Sequence, residues 1–128
     1  MHILLIEPDR LLAATYQTAL ENAGHSIAHA QSAQQAVYLA DEKAPDVIVL
    51  EPQLPRHNGI EFLYELKSYT EWQHVPVIVL TVLPPDTIAP FTVLQTQLSV
   101  VAVLSKSRTS LEKLCREVAR SAPKEKEA

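Results

Sequence analysis

The sequence predicts an α/β protein in which five parallel strands form one doubly wound sheet, covered by five helices. Short apolar runs rich in β-branched residues recur about every 20 to 30 residues. Continuous runs of this length are typical of strands buried on both faces. Helical patterns separate the runs, and a parallel return requires such a crossover helix. The predicted strands are residues 3–6, 25–29, 47–50, 77–80 and 100–104.

Residues that favour helix ends mark the segments between these strands. Gly24 stands just past the first helix, where a residue with positive φ is favoured. Prolines crowd the start of the fourth helix, which we therefore expect to be short and to begin close to Pro90. The other starts match or approximate capping boxes, namely Ser32 with Gln35, Asn58 with Glu61, and Thr109 with Glu112.

Composition limits the classes of function. A chain of 128 residues that is 47% hydrophobic suits one compact domain, to which we assign residues 1–121, with residues 122–128 as a disordered tail or linker stump. A net charge of −4 disfavours a nucleic-acid-binding surface. Two glycines and one cysteine exclude glycine-rich phosphate loops and CxxC metal sites. Without a predicted membrane span or signal peptide, we expect a cytoplasmic protein.

The residues directly after the strands are the candidates for chemistry, because ligands of doubly wound sheets bind at the carboxyl ends of the strands. Glu7 and Asp9 follow the first strand and Glu51 follows the third. Thr81 follows the fourth strand and Lys106 the fifth. These residues predict one pocket that contains acids, a hydroxyl and an ammonium. Asp9 also fits the N-cap of the first helix, and both interpretations of it stay open at this point.

Four segments, in order, resemble the receiver domain of bacterial two-component response regulators, from residue 3 to about residue 119. They are ILLIEPD at 3–9, VIVLEPQLPRHNG at 47–59, PVIVLT at 76–81 and LSK at 104–106. The resemblance implies a flavodoxin-like, receiver-type fold. It also implies an aspartate after the third strand that accepts phosphate from a histidine kinase, beside acids that help to hold Mg²⁺. Thr81 and Lys106 match the residues that contact the phosphoryl group in the family.

The acidic positions depart from the family pattern. Glu51 stands at the phosphoacceptor position, and its carboxylate reaches about 1.5 Å further than that of an aspartate. Phosphoryl transfer is sensitive to positioning errors of about 1 Å. Pro8 replaces the second acid, so we expect Mg²⁺ binding to be weak or absent, and we predict no other metal or cofactor. We expect Glu51 instead to pair with Lys106 or Thr81 and so to fix one conformation.

Two further departures lie near Lys106. Ser107 replaces the proline that usually follows the lysine in the family, so we predict a trans peptide bond between Lys106 and Ser107. Val103 stands at the aromatic switch position of the family, and its side chain has no polar tip that could change partners. The usual relay between a threonine and an aromatic residue is therefore not expected.

These departures predict a pseudo-receiver that is not an enzyme and that acts in signal transduction through phosphorylation-independent protein contacts. The alternative is a phosphorylatable receiver in a histidine-kinase phosphorelay. This alternative includes the case in which the chain is a fragment of a DNA-binding transcriptional regulator. A flavodoxin-like ligand pocket ranks last, because few glycines and hydroxyls follow the strands. The predicted partner is an effector, a sensor kinase or a second copy of the chain.

The predicted contact surface is the segment that contains the fourth helix and the fifth strand. No charged residue occurs from Thr87 to Ser105, whereas a solvated helix normally carries charges on its outer face. Apolar side chains of the helix would provide the contacts; they are Phe91, Val93, Leu94 and Leu98.

Overall fold

The computed structural model of the chain describes residues 1–84 and 87–121. In chain order, the strands are β1 (His2–Ile6), β2 (Ser26–Ala30), β3 (Val47–Leu50), β4 (Gln53–Leu54), β5 (His57–Asn58), β6 (Val77–Thr81) and β7 (Val100–Ser105). The helices are α1 (Arg10–Asn22), α2 (Ala33–Glu42), α3 (Gly59–Lys67), α4 (Phe91–Leu98) and α5 (Leu111–Arg120).

The main sheet has five parallel strands in the order β2-β1-β3-β6-β7, which confirms the predicted fold class. Each end of each predicted strand lies within one residue of the observed one. Because β1 pairs with β3 and β3 with β6, residues that follow these strands emerge side by side at one edge of the sheet.

Apolar side chains form one core layer on each face of the sheet. On one face, buried residues of α1 and α5 pack against the sheet, and they include Tyr16, Leu20 and Val118. On the other face, α2, α3 and α4 contribute residues such as Ala36, Leu63 and Leu98. The runs of β1, β3 and β6 in the middle of the sheet are buried from both sides, as their continuous apolar character predicts, whereas the edge strands β2 and β7 are only partly buried.

A short antiparallel hairpin, β4 with β5, follows β3 and was not predicted, because two-residue strands leave no periodic signal. Arg56, which lies in the turn of this hairpin, has a φ of 64°, in the left-handed region. Beyond the hairpin, the Gly59 N–H donates a hydrogen bond of 2.8 Å to the carbonyl of Pro52. A Cβ atom on Gly59 would lie 2.5 Å from Cα of Pro52, so this close approach requires glycine.

The helix caps agree with the sequence at α2 and α3 and differ at α5. Ser32 Oγ accepts from the N–H of Gln35 at 3.2 Å, and Asn58 Oδ1 accepts from the N–H of Ile60 at 2.8 Å. At α5 the prediction of Thr109 was wrong by one residue. Ser110 has an extended backbone (ψ 161°) and its hydroxyl accepts from the N–H of Lys113 at 3.0 Å.

The α4 helix begins after Pro90, as predicted, but its contact residues need correction. Leu94 and Leu98, predicted as contact residues, are 1% and 0% exposed. They lie four residues apart on the face of α4 that packs against the sheet, where burial removes their apolar surface from water. Phe91 is 43% exposed and Val93 is half-buried. The predicted surface therefore remains a prediction at Phe91 and Val93 only.

Within residues 1–84 and 87–121, none of the helices is long and apolar enough to cross a bilayer. The predicted tail, residues 122–128, lies outside the described residues.

Candidate functional site

Four side chains predicted to share a pocket meet at the carboxyl edge of the sheet. Glu7 follows β1, Glu51 follows β3, Thr81 ends β6 and Lys106 follows β7. The Glu51 main-chain N–H donates to the carbonyl of Ile6 and the Lys106 N–H donates to that of Thr81, both at 2.9 Å. These bonds extend the strand pairing by one residue, so the parallel register sets where each side chain leaves the sheet.

Lys106 bridges the two acids. Its Nζ lies 2.7 Å from Oε1 of Glu7 and 2.8 Å from Oε1 of Glu51. The exposed fraction of the side chain is 10% for Lys106 and 3% and 4% for the two acids. Ion pairs shielded from water in this way are much less screened than surface pairs. The expected pairing of Glu51 with Lys106 is present.

The second oxygen of each acid also has a donor. Oε2 of Glu51 accepts from the Thr81 hydroxyl at 2.9 Å and from the main-chain N–H of Gln53 at 3.0 Å. Oε2 of Glu7 accepts from the main-chain N–H of Asp9 at 3.0 Å. All four carboxylate oxygens of the pocket therefore accept hydrogen bonds from the protein, and Glu51 contacts both Lys106 and Thr81.

Asp9 does not join these contacts through its side chain. Its Oδ1 accepts from the N–H groups of Leu11 and Leu12 at 2.9 and 3.1 Å, so the carboxylate caps α1. The alternative that Asp9 is an N-cap is thus the one that matches the geometry, because the extended backbone of Asp9 turns its side chain towards its own helix. Asp9 contributes to the pocket only its main-chain N–H.

Surrounding charge determines the ionisation of Lys106. Burial by itself would lower the pKa of Lys106, but the hydrogen bonds and charges of Glu51 and Glu7 outweigh it and raise that pKa above its ordinary value. The lysine is therefore a firmly protonated cation between two carboxylates.

Sequence reasoning missed two main-chain hydrogen-bond donors and one histidine side chain beside the pocket. The N–H groups of Asp9 and Gln53 bind the two acids, and His29 Nε2 donates a hydrogen bond of 2.8 Å to the carbonyl of Glu7. Main-chain donors leave no trace in the residue types. The position of His29 could be found only from the pairing of β1 with β2, which places its side chain next to the end of β1.

A family model, the response regulator receiver domain, matches residues 3–119. The chain belongs to the response regulator receiver domain family. The match covers the same part of the chain as the resemblance carried by the four sequence segments, and it confirms that resemblance at the level of the family.

This receiver domain is similar, over part of its length, to two bacterial regulators. It is 35% identical over 80 residues to the KDP operon transcriptional regulatory protein KdpE of Escherichia coli K12. The aligned stretch covers 62% of this chain and 34% of KdpE. The domain is also 32% identical over 79 residues to the polar-differentiation response regulator DivK of Brucella ovis. That aligned stretch covers 62% of this chain and 64% of DivK. The matched stretches thus span a third of one relative and just under two thirds of the other.

Solved structures share the fold of this receiver. The chemotaxis protein CheY4 of Vibrio cholerae superposes with a TM-score of 0.81 at 19% identity, covering 94% of this chain and 97% of CheY4. A sensor protein from Polaromonas sp. JS666 superposes with a TM-score of 0.84 at 20% identity and 94% coverage of both chains. At these identities the similarity concerns the fold alone.

The residues of the pocket do not fit the Mg²⁺ ion that the family pattern implies. Mg²⁺ requires near-octahedral oxygen ligands and loses its water shell reluctantly. Here Pro8 offers no carboxylate, and the oxygens of Glu7 and Glu51 are already bonded to protein donors. Throughout the described part of the chain, no group of three or more His, Cys, Asp or Glu side chains is arranged to hold a metal ion.

The peptide bond after Lys106 has the predicted trans geometry. No peptide bond among the described residues is cis, so the bond between Lys106 and Ser107 is trans. The Ser105 and Ser107 hydroxyls lie 3.0 Å apart in hydrogen-bond contact. Val103, at the switch position, is half-buried.

Proposed function

We propose that this receiver signals through protein contacts without being phosphorylated, and that the Glu51–Lys106 ion pair holds it in one conformation. The observation that supports this is the complete pairing of the Glu51 carboxylate with Lys106, Thr81 and the Gln53 N–H. Thr81 and Lys106 match the residues that contact the phosphoryl group in the family. Since Glu51 contacts both of them, its carboxylate takes the place of the phosphoryl group in this proposal.

Phosphorylation of Glu51 would have to disrupt this arrangement. The carboxylate would leave Lys106 and Thr81 before it could attack a phosphoryl donor, and the buried ammonium would lose part of its compensation. The incoming phosphate would also meet two acids and a single cation, without a bound metal to reduce the repulsion. Both effects raise the barrier to transfer.

Intact-mass spectrometry after incubation with acetyl phosphate and Mg²⁺ tests the proposal. We expect the mass of the wild-type protein to remain unchanged. The double variant P8D/E51D, which restores the acids of the family pattern, is the positive control and should gain a hydroxylamine-labile adduct of about 80 Da, the mass of one phosphoryl group.

A stoichiometric adduct on the wild-type protein would overturn the proposal. If E51Q abolished that adduct, the domain would be a phosphorylatable receiver with an atypical acceptor, which is the alternative function. The single variant E51D separates the two departures, because it shortens the acid and leaves Pro8 in place.

We further propose that the receiver associates with a second copy through the surface formed by α4, β7 and α5. A groove of about 820 Å³ lies there, and Phe91, Val101 and Val103 are among its lining residues. Phe91 and Val101 are 43% and 46% exposed. Two charged residues, Glu117 and Arg120, also line the groove, and Arg120 Nη1 lies 3.3 Å from Glu117 Oε1. Because their opposite charges cancel, this surface favours an apolar partner surface.

A further inference from the structure

A second groove lies between α2 and α3 and is independent of the Glu51–Lys106 pair. Its volume is about 810 Å³, and no residue of the ion-paired pocket is among those that line it. Two buried aromatic side chains, Phe62 and Trp72, are among its lining residues, and Val37 of α2 packs against the same core. The groove is lined by residues of α2, of the β4–β5 hairpin, of α3 and of the segment after α3.

Two tyrosines expose their rings at this groove. Tyr38 on α2 is 64% exposed and Tyr69 after α3 is 47% exposed. The Tyr69 ring packs edge-on against Trp72, with centroids 5.2 Å apart, so a buried neighbour holds its position. Exposed aromatic rings with a fixed position are enriched at recognition sites, and their faces attract cations.

The charges around the groove are mostly negative. Four carboxylates line it, against the single guanidinium of Arg56; they belong to Asp41, Glu61, Glu65 and Glu71. None of these four acids takes part in the ion pairs of residues 1–84 and 87–121, which involve Lys106, Arg116 and Arg120. The groove of α4, β7 and α5 differs, because its glutamate and arginine pair with each other.

From the groove, its exposed tyrosines and its excess of carboxylates, we propose that this surface binds a basic, arginine-rich segment of a partner protein. A planar guanidinium can stack on a tyrosine ring and at the same time donate to a carboxylate, which a compact lysine ammonium does less well. A bound basic segment would also compensate the excess of negative charge along the groove. This inference goes beyond the proposed function and does not depend on whether Glu51 is phosphorylated.

Fluorescence anisotropy with a labelled peptide of alternating arginine and serine tests the proposal on the full chain. We expect saturable binding that weakens as ionic strength rises, because salt screens exposed charges. A peptide with citrulline in place of each arginine keeps the shape, lacks the charge and should not bind. The variant E61Q/E65Q should weaken binding about fivefold, the sum of two exposed charge contacts of roughly 0.5 kcal/mol each.

The matched control is E21Q/E112Q, which changes the net charge equally but on α1 and α5. It should bind the peptide as the wild type does, and far-UV circular dichroism should show that all variants are folded. Y38F should retain binding, whereas Y38A, which lacks the ring, should bind about threefold more weakly, as expected for one exposed cation–π contact.

Three binding results would overturn the proposal. They are the absence of saturable binding, equal weakening in the groove and control variants, and equal binding by Y38A and Y38F. A change in self-association caused by E61Q/E65Q in analytical ultracentrifugation would also overturn it, since a second copy would then be the occupant of the groove.

Discussion

The Lys106 ammonium donates a hydrogen bond of 2.8 Å to Oε1 of Glu51, which lies 55 residues earlier in the chain. The same ammonium contacts Glu7 at 2.7 Å, so one cation holds together the ends of β1, β3 and β7. Removal of the lysine costs more free energy than the intact ion pair contributes to stability, because it leaves two carboxylates buried without their cation.

Substitution of this lysine should therefore strongly destabilise the fold. We expect K106A to lower the free energy of unfolding by about 3 to 5 kcal/mol, the range for breaking a buried ion pair. Urea denaturation followed by circular dichroism measures the change. The control is R116A, which breaks an exposed pair with Glu112 and should cost about 0.5 kcal/mol or less. A similar small loss in both variants would contradict the role of Lys106.

Lys67, a second buried lysine, predicts a pH dependence. Its Nζ donates to the carbonyls of Trp72 and Val75, and burial lowers the pKa of Lys67 to about 8. Between that value and the ordinary pKa of about 10.5, the unfolded chain keeps a proton that the folded one has lost. Stability contributed by Lys67 should thus rise with pH from about 8 upwards.

The variant K67M isolates this effect, because all other titrating groups remain. We expect the difference in free energy of unfolding between wild type and K67M to shift in favour of the wild type as pH increases from 7.5 to 9.5, on the linkage relation. K113M, at an exposed position on α5, is the control and should follow the wild type throughout. A constant difference between wild type and K67M would refute the prediction.

Gly59 predicts a steric effect at the start of α3. In G59A the new Cβ would lie 2.5 Å from Cα of Pro52 and 2.8 Å from its carbonyl oxygen, which are main-chain atoms and cannot move easily. We expect a loss of about 1 to 3 kcal/mol, typical of overpacking, measured by thermal denaturation. For G24A no atom lies within 4 Å, so only the strain of a φ of +98° remains, about 1 kcal/mol. Equal stability of G59A and wild type would disprove the close contact.

The surface of α4 predicts self-association through Phe91. Light scattering over a dilution series should show dimers of the wild type that dissociate at low concentration, and F91D should be monomeric throughout, because a buried charge without a partner is costly. T92D adds the same charge at the neighbouring exposed residue and should still dimerise. A wild-type protein that is monomeric at every concentration would refute the proposed dimer.

The fold was predictable because each signal is local. The apolar runs of the strands, the cap at Asn58 and the start of α4 after Pro90 all depend on residues close in sequence. The hairpin of β4 and β5 was not predictable, since a two-residue strand has no period. The burial of Leu94 and Leu98 was also missed, because a short uncharged helix does not reveal which side faces the sheet.

The candidate site, like the fold, was predictable from the sequence only in part. Since the carboxyl ends of parallel strands share one edge, the sequence alone determined that Glu7, Glu51, Thr81 and Lys106 belong together. Only the tertiary structure decided that Lys106 bridges both acids, that main-chain N–H groups occupy their remaining oxygens and that the Asp9 carboxylate caps α1. The physical reason is distance: strand order fixes which chain segments become neighbours, whereas hydrogen bonds depend on tenths of an ångström that the packing of the whole domain sets.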